Sequence, residues 1–228
     1  MASNLTFPDS VYVYNENVKG VDFKSLERFI KKNFGKISLK VIRIKEKIVA
    51  TKGVLFDPVK TKTNFDKVIH SRSPGLSLGY GCNVILTDKL IATFDEDKKL
   101  HIRASIYSFP SIISISGIVE GPAKPKDYYL YKDRFTKLGV WEIEEPKIKK
   151  RFKTRFIDYG DRRMTEVLKG YVSQALFFHI TGNPFCEKRY CRLFNSHWQE
   201  GLIHSQVKVG KFCRHHKKQL CILQFSKH

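Results

Sequence analysis

The sequence predicts an α+β fold, a mixed β-sheet carrying one long apolar helix, with a small helical subdomain at the C-terminal end. Three observations lead to it. Residues 11–44 read strand, helix, strand; residues 84–119 are dominated by strand-like segments; and a broadly apolar helix after Asp161 runs into a tail rich in Cys, His and Arg. With 228 residues, 42% hydrophobic and 13% aromatic, the chain has enough apolar side chains for a real core.

Val11-Tyr12-Val13-Tyr14 is the first strand. Asp22 then caps a helix whose Phe23, Leu26, Phe29, Ile30 and Phe34 recur at helical spacing until Gly35 stops it. Residues 37–44 alternate apolar with polar as a second strand, so a parallel pair joined by a crossover helix is expected. Residues 52–77, with Pro58 and Pro74, lack clear periodicity and read as loop with one helix around 64–70. Strands follow at 84–86, 90–94 and 100–107, the last two forming a hairpin across the polar turn 95–98 and completing the sheet. The β-branched stretch 112–119 ends at Gly121-Pro122-Ala123-Lys124-Pro125, and 128–138 forms a short helix. Asp161 caps the long helix, whose Met164, Val167, Leu168, Tyr171, Val172, Ala175 and Phe178 make one apolar face before Thr181-Gly182-Asn183-Pro184 ends it. A helix over 193–207 and a last strand over 220–225 complete the reading.

Lys and Arg number 42 against 22 Asp and Glu, a net charge of +20, the balance expected of a chain that meets polyanions. Only Lys147, Lys149, Lys150, Arg151, Lys153 and Arg155 form a dense run, the expected contact for nucleic acid or an acidic protein, with Tyr128, Tyr129 and Tyr131 offered for stacking. No stretch approaches the roughly 18 apolar residues of a membrane span. Residues 1–10 lack the basic-then-apolar order of a secretory signal, so a cytoplasmic protein without membrane contact is expected.

In that compartment disulfides are disfavoured, and cysteines close in sequence read first as metal ligands. Cys186 and Cys191 supply one pair; Cys213 and His216 supply another, with His215 an alternative to His216. Zinc takes four tetrahedral N or S ligands, and two such pairs let a short chain wrap one ion. With thiolates at three corners no position is left for water, so the expected role is to staple the C-terminal helix to the domain. Cys221, within an apolar stretch, reads as a core thiol and Cys82 as a strand-edge residue.

Counted back from Cys186, residues 175–186 read Ala-Leu-Phe-Phe-His-Ile-Thr-Gly-Asn-Pro-Phe-Cys. This segment resembles the archaemetzincins, whose pattern is H-E-x-x-H-x-x-G-x-x-H-C, a second Cys after four residues, and a distal C-x-x-C. His179 falls on the second histidine and Gly182 on the glycine; Cys191 and Cys213 follow suit, with His216 where the last cysteine would stand. The later half of the chain, including residues 111–125 and 195–200, also resembles an uncharacterised archaeal family described as metallopeptidases. The resemblance implies a metzincin-like mixed sheet and active-site-type helix over 1–182, and a zinc-stapled subdomain over 183–228.

It also implies loss of activity. A metzincin holds its catalytic zinc on two histidines one turn apart plus a third beyond the glycine, with a glutamate as base. Those positions here are Ala175, Phe185 and Leu176. The resemblance thus implies a pseudoenzyme with one structural zinc. A rebuilt site is the competing expectation: His197, Glu200 and His204 at i, i+3 and i+7 of one helix face, approaching His179. Glu166 and Lys169 read as a surface ion pair, and Tyr159 as a residue of the turn before the long helix.

Overall fold

The computed structural model describes residues 8–72 and 81–225. Strand β1 (Ser10–Glu16), helix α1 (Phe23–Phe34) and strand β2 (Ser38–Ile44) form the expected unit, with β1 and β2 parallel and Val13 opposite Val41. Asp22 accepts a hydrogen bond from the Ser25 N–H, and Gly35, at a φ of 69°, turns the chain out of the helix. Strand β5 (Gly81–Thr87) lies parallel on the other side of β1, β9 (Ser111–Ser114) parallel to β5, and β8 (Ser105–Ile106) antiparallel at the edge, giving the order β2-β1-β5-β9-β8.

The two-residue period of these strands feeds two cores. Val11, Val13, Val84, Leu86 and Ile113 point to one face, where α1 and the long helix α6 (Met164–Thr181) cover them. Tyr14, Ile85 and Ile112 point to the other, against Phe65, Val68 and Ile69 of α2 (Pro58–Arg72). Each aliphatic side chain buried fully in this way contributes about 1.5–3 kcal/mol. A third cluster, Tyr128, Ile148, Phe152 and Phe156, joins α4 (Lys126–Lys137) to α5 (Trp141–Phe152).

Several elements differ from expectation. The hairpin of β6 (Ile91–Phe94) and β7 (Leu100–Arg103) exists, but it belongs to a second sheet with β3 (Thr51–Lys52) and β4 (Leu55–Phe56), not to the main one. Helix α2 begins at Pro58, well before 64; of the stretch expected as loop, residues 73–77 lie outside the described residues. Residues 112–119 divide at Ser114, whose hydroxyl accepts from the Gly117 N–H and starts helix α3 (Ile115–Glu120). Helix α5 was hidden by Pro146 and by the charge run; its buried Ile148 and Phe152 hold it despite the proline.

Asp161 is not the cap residue of α6; its carboxylate, two residues earlier than the Arg163 cap position, accepts from the Arg163 N–H. Residues 193–198 are not helical, because Phe194 bridges to Cys186 and Trp198 to Ala123; helix α7 is only Gln199–Ile203, followed by a π-helical turn, His204–Val209. The last element is helix α8 (Arg214–Phe225), not a strand. Cys82 lies buried within the interior strand β5, and Cys221 is exposed.

Candidate metal centre

The chain leaves α6 at Gly182, left-handed at a φ of 74°, and reaches Cys186 within one loop. The Cys186 N–H donates to the Leu193 carbonyl, and the Cys191 N–H to that of Lys188, which turns the 186–191 segment back on itself. Arg192 then donates its N–H to the Lys211 carbonyl, bringing Cys191 beside Cys213 at the entrance to α8, where His216 is one turn further on. The ligand atoms of Cys186, Cys191, Cys213 and His216 all lie within 4.8 Å of one another. The Cys186 and Cys213 sulfurs are 4.0 Å apart, and His216 Nδ1 is 3.7 Å from Cys191 Sγ and 3.1 Å from Cys213 Sγ.

A tetrahedral zinc with Zn–S bonds of about 2.3 Å spaces its sulfurs about 3.8 Å apart, so the four donors fit and can hold a zinc ion. The electrostatics favour one. Burial pushes the Cys191 thiol up to about 12 and raises that of Cys186, so three thiolates here need a cation among them. Burial also acts to raise Cys213, but backbone N–H groups at the start of α8 outweigh it and hold that thiol below its ordinary value. Burial, then His215 and Lys188, lower His216 and keep its imidazole neutral for coordination. The Lys188 N–H donates to Cys186 Sγ and the Cys213 N–H to Cys191 Sγ, each at 3.4 Å. His216 is the histidine brought to the cluster; His215 is exposed, its ring edge-on to that of His216.

This centre is built into the main core. Phe212, adjoining Cys213, packs against Phe29, Phe34 and Phe177, and the His216 ring meets Phe177 edge-on. Buried Arg192, beside Cys191, donates to the Gly210 and Glu166 carbonyls, closing the π-helical turn onto α6. The Glu166–Lys169 pair therefore belongs to a partly buried set with Arg192, rather than to the open surface.

Ala175 and Leu176 lie fully buried on α6. His179, half-buried one turn later, packs its ring edge against Phe109, and burial lowers its pKa. Beside this helix end is a cleft of about 500 Å³, lined in part by Ser105, Tyr107, Tyr171, Phe178, Phe185 and His197. Its lining holds no Asp or Glu among the described residues. Tyr107 donates to Gln174 Oε1 at 2.5 Å, and burial raises the pKa values of Tyr107 and Tyr171, which stay protonated.

The four residues of the alternative site are not gathered. His197 precedes α7 on an extended segment, Glu200 pairs with Arg155 at 2.8 Å, and His204 is exposed. Among the described residues only the Cys186, Cys191, Cys213 and His216 set brings three or more His, Cys, Asp or Glu donors close enough to hold a metal. Of the expected stacking tyrosines, Tyr128 is buried and Tyr131 lies under the Arg151 guanidinium. Sequence reading missed Gln199, fully buried, whose amide joins α3 to α7, and Arg163, which gathers three carbonyls of the 153–156 segment.

The fold is that of a metzincin-like protein. It is similar to the crystal structure of archaemetzincin from Methanopyrus kandleri, with a TM-score of 0.53 over 98% of each chain at 12% identity. The sequence model of the "Probable metallopeptidase family (DUF6775)" matches residues 16–222, and the chain belongs to that family. No curated protein matches it. No helix among the described residues is long and apolar enough to cross a membrane.

Proposed function

We propose that this protein is a catalytically degenerate metzincin-like binding protein with one structural zinc held by Cys186, Cys191, Cys213 and His216. The observation that supports it most is the contrast at the two ends of one loop. Where the family resemblance puts the first histidine and the catalytic glutamate, α6 carries Ala175 and Leu176, both sealed in the core. Where it puts the structural ligands, four donors converge. Three thiolates and the His216 imidazole leave zinc no open position, and the ion would supply a cross-link between the 186–191 loop and α8 rather than an activated water. Its reduced thiolates suit a cytoplasmic setting. The cleft beside α6, with hydroxyls, an amide and aromatic rings but no carboxylate, suits binding more than hydrolysis.

Metal content by mass spectrometry tests this, on protein purified without a metal-binding tag, for wild type and Cys186→Ser, with casein turnover measured in parallel. One zinc per chain, lost in the variant, with no chelator-sensitive turnover is the expected result. A second metal that survives Cys186→Ser, or proteolysis abolished by chelator and restored by zinc, would overturn the proposal.

A further inference from the structure

The basic run 147–155 divides into two sets, because α5 turns half of it away. Lys147 pairs with Glu144 at 2.7 Å, Arg151 covers the Tyr131 ring, and Arg155 is taken by Asp127 and Glu200. Lys149, Lys150 and Lys153, at i, i+1 and i+4, share the other side and line a cavity of about 770 Å³. Its remaining walls are Phe156 and the turn 158–162, including Tyr159 and Arg162. Such a volume is within the range of small-ligand sites, about 300–1,000 Å³.

Four cations and two carboxylates line this cavity, but both carboxylates are engaged. Asp161 is bound bidentately by Arg163, and Asp158 accepts from the Tyr159 N–H and lies 3.7 Å from Lys149. Lys149 is further held by Glu145 at 3.3 Å. Lys150, Lys153 and Arg162 are exposed and have no carboxylate partner among the described residues. Lysines often follow a helix C-terminus simply to offset its carbonyls. Here the Lys150 and Phe152 carbonyls already take the backbone N–H groups of Lys153 and Arg155, and Arg163 donates to the carbonyls of Lys153, Thr154 and Phe156 just past the helix. Lys153 and Arg162 lie beyond the last turn of α5, and these bonds leave fewer bare carbonyl oxygens for an anion in the cavity to meet. Tyr159, more than half exposed, adds an aromatic surface among them.

We propose that this cavity binds a nucleotide unit of single-stranded nucleic acid, with phosphates on Lys150, Lys153 and Arg162 and a base stacked on Tyr159. Cations tracking phosphates beside an aromatic ring on which a base stacks are the two parts such sites combine. A phosphate-only ligand would leave the exposed tyrosine unused, and an acidic peptide would not require it.

The test is fluorescence anisotropy with labelled oligothymidylate and oligouridylate of about 12 nucleotides over a range of salt concentrations. Wild type is compared with Lys153→Ala/Arg162→Ala, Tyr159→Ala, Tyr159→Phe, and the opposite-side control Lys147→Ala/Arg151→Ala. Melting temperature and zinc content of each variant are checked first. The Lys153/Arg162 pair should weaken binding at least about tenfold and flatten the log–log salt slope by about 0.7 for each phosphate that is no longer neutralised. Tyr159→Ala should cost about tenfold while Tyr159→Phe keeps wild-type affinity. The proposal is overturned by absence of binding near 0.1 M salt. It is equally overturned if the control pair loses as much as the cavity pair, if Tyr159→Ala binds like wild type, or if poly-glutamate displaces the oligonucleotide at equal charge concentration. Zinc content is unaffected by these outcomes, so they bear on this cavity alone.

Discussion

Gln199 is a single side chain on which three parts of the molecule depend. It is fully buried; its amide nitrogen donates to the Ile118 and Val119 carbonyls at 2.8 and 3.1 Å, and its amide oxygen accepts from the Ile157 N–H at 3.0 Å. The first two bonds satisfy carbonyls at the open end of α3, and the third ties in the segment that leads to α6. Gln199→Met keeps the volume but strands one donor and two acceptors, each costing about 1–3 kcal/mol, so a loss of at least about 3 kcal/mol is expected. For a chain of this size that lowers Tm by about 6–12 °C. Gln199→Glu should be worse at pH 7, since it faces a carboxylate with two carbonyl oxygens, and its deficit should narrow on acidification as the carboxyl regains a proton to donate. Calorimetric or circular-dichroism melts of the three proteins decide it. A Met variant within about 0.5 kcal/mol of wild type would show that water or local shifts satisfy these groups, and would refute the reasoning.

Removing zinc with a strong chelator, or replacing Cys213 by Ser, should cost several kcal/mol and release one metal per chain, read by melting and a chromophoric zinc indicator. His179→Phe tests linkage. Burial lowers the folded pKa of His179, so its stabilisation is present above the unfolded value of about 6.5 and fades as pH falls through the lower folded value. The wild-type minus His179→Phe stability difference should therefore drop across that window, and a flat difference in urea titrations would count against it. Gly117→Ala should destabilise by about 3 kcal/mol, because its Cβ would sit 2.0 Å from the Arg103 carbonyl oxygen, a backbone atom with no way to yield; chemical denaturation reads the cost. Ala175→His, a first step toward a metzincin helix, should lower Tm by overpacking the core and leave metal stoichiometry unchanged, as mass spectrometry would report.

Where local chemistry and packing agree, the sequence was legible. Asp22 and Gly35 bracket α1 because one side chain accepts a backbone N–H and the other residue tolerates a positive φ, and both effects are local. The cysteine and histidine spacing was readable for the same reason: zinc's ligand preferences are short-range. Helix α2 also carried a legible start, Asp57 accepting from the Lys60 N–H ahead of Pro58, which the weak periodicity beyond it obscured. Residues 193–198 could not be read that way. Nothing within the stretch marks it as extended: Phe194 bridges to Cys186 across the loop of the metal segment, and Trp198 to Ala123 from far earlier in the sequence. The same holds for the rebuilt histidine site, whose assumed helix dissolves there, and for α5, where Pro146 and the run of cations masked an apolar face whose partners include Tyr128 and Tyr131 of α4.

The placement of Cys191 and Cys213 inside the principal core has a thermodynamic corollary. A metal held on a detachable flap reports only on that flap, and its escape leaves the remainder standing. Here the side chains that would grip the ion pack in the same cluster as Val13, Ile30 and Val172, so opening the grip means opening that cluster. Apparent zinc affinity and global stability then become two readings of one equilibrium. A cavity-forming change as remote in sequence as Val13→Ala should make the protein give up its ion at a lower chelator concentration; conversely, bound zinc should add to the stability of the sheet.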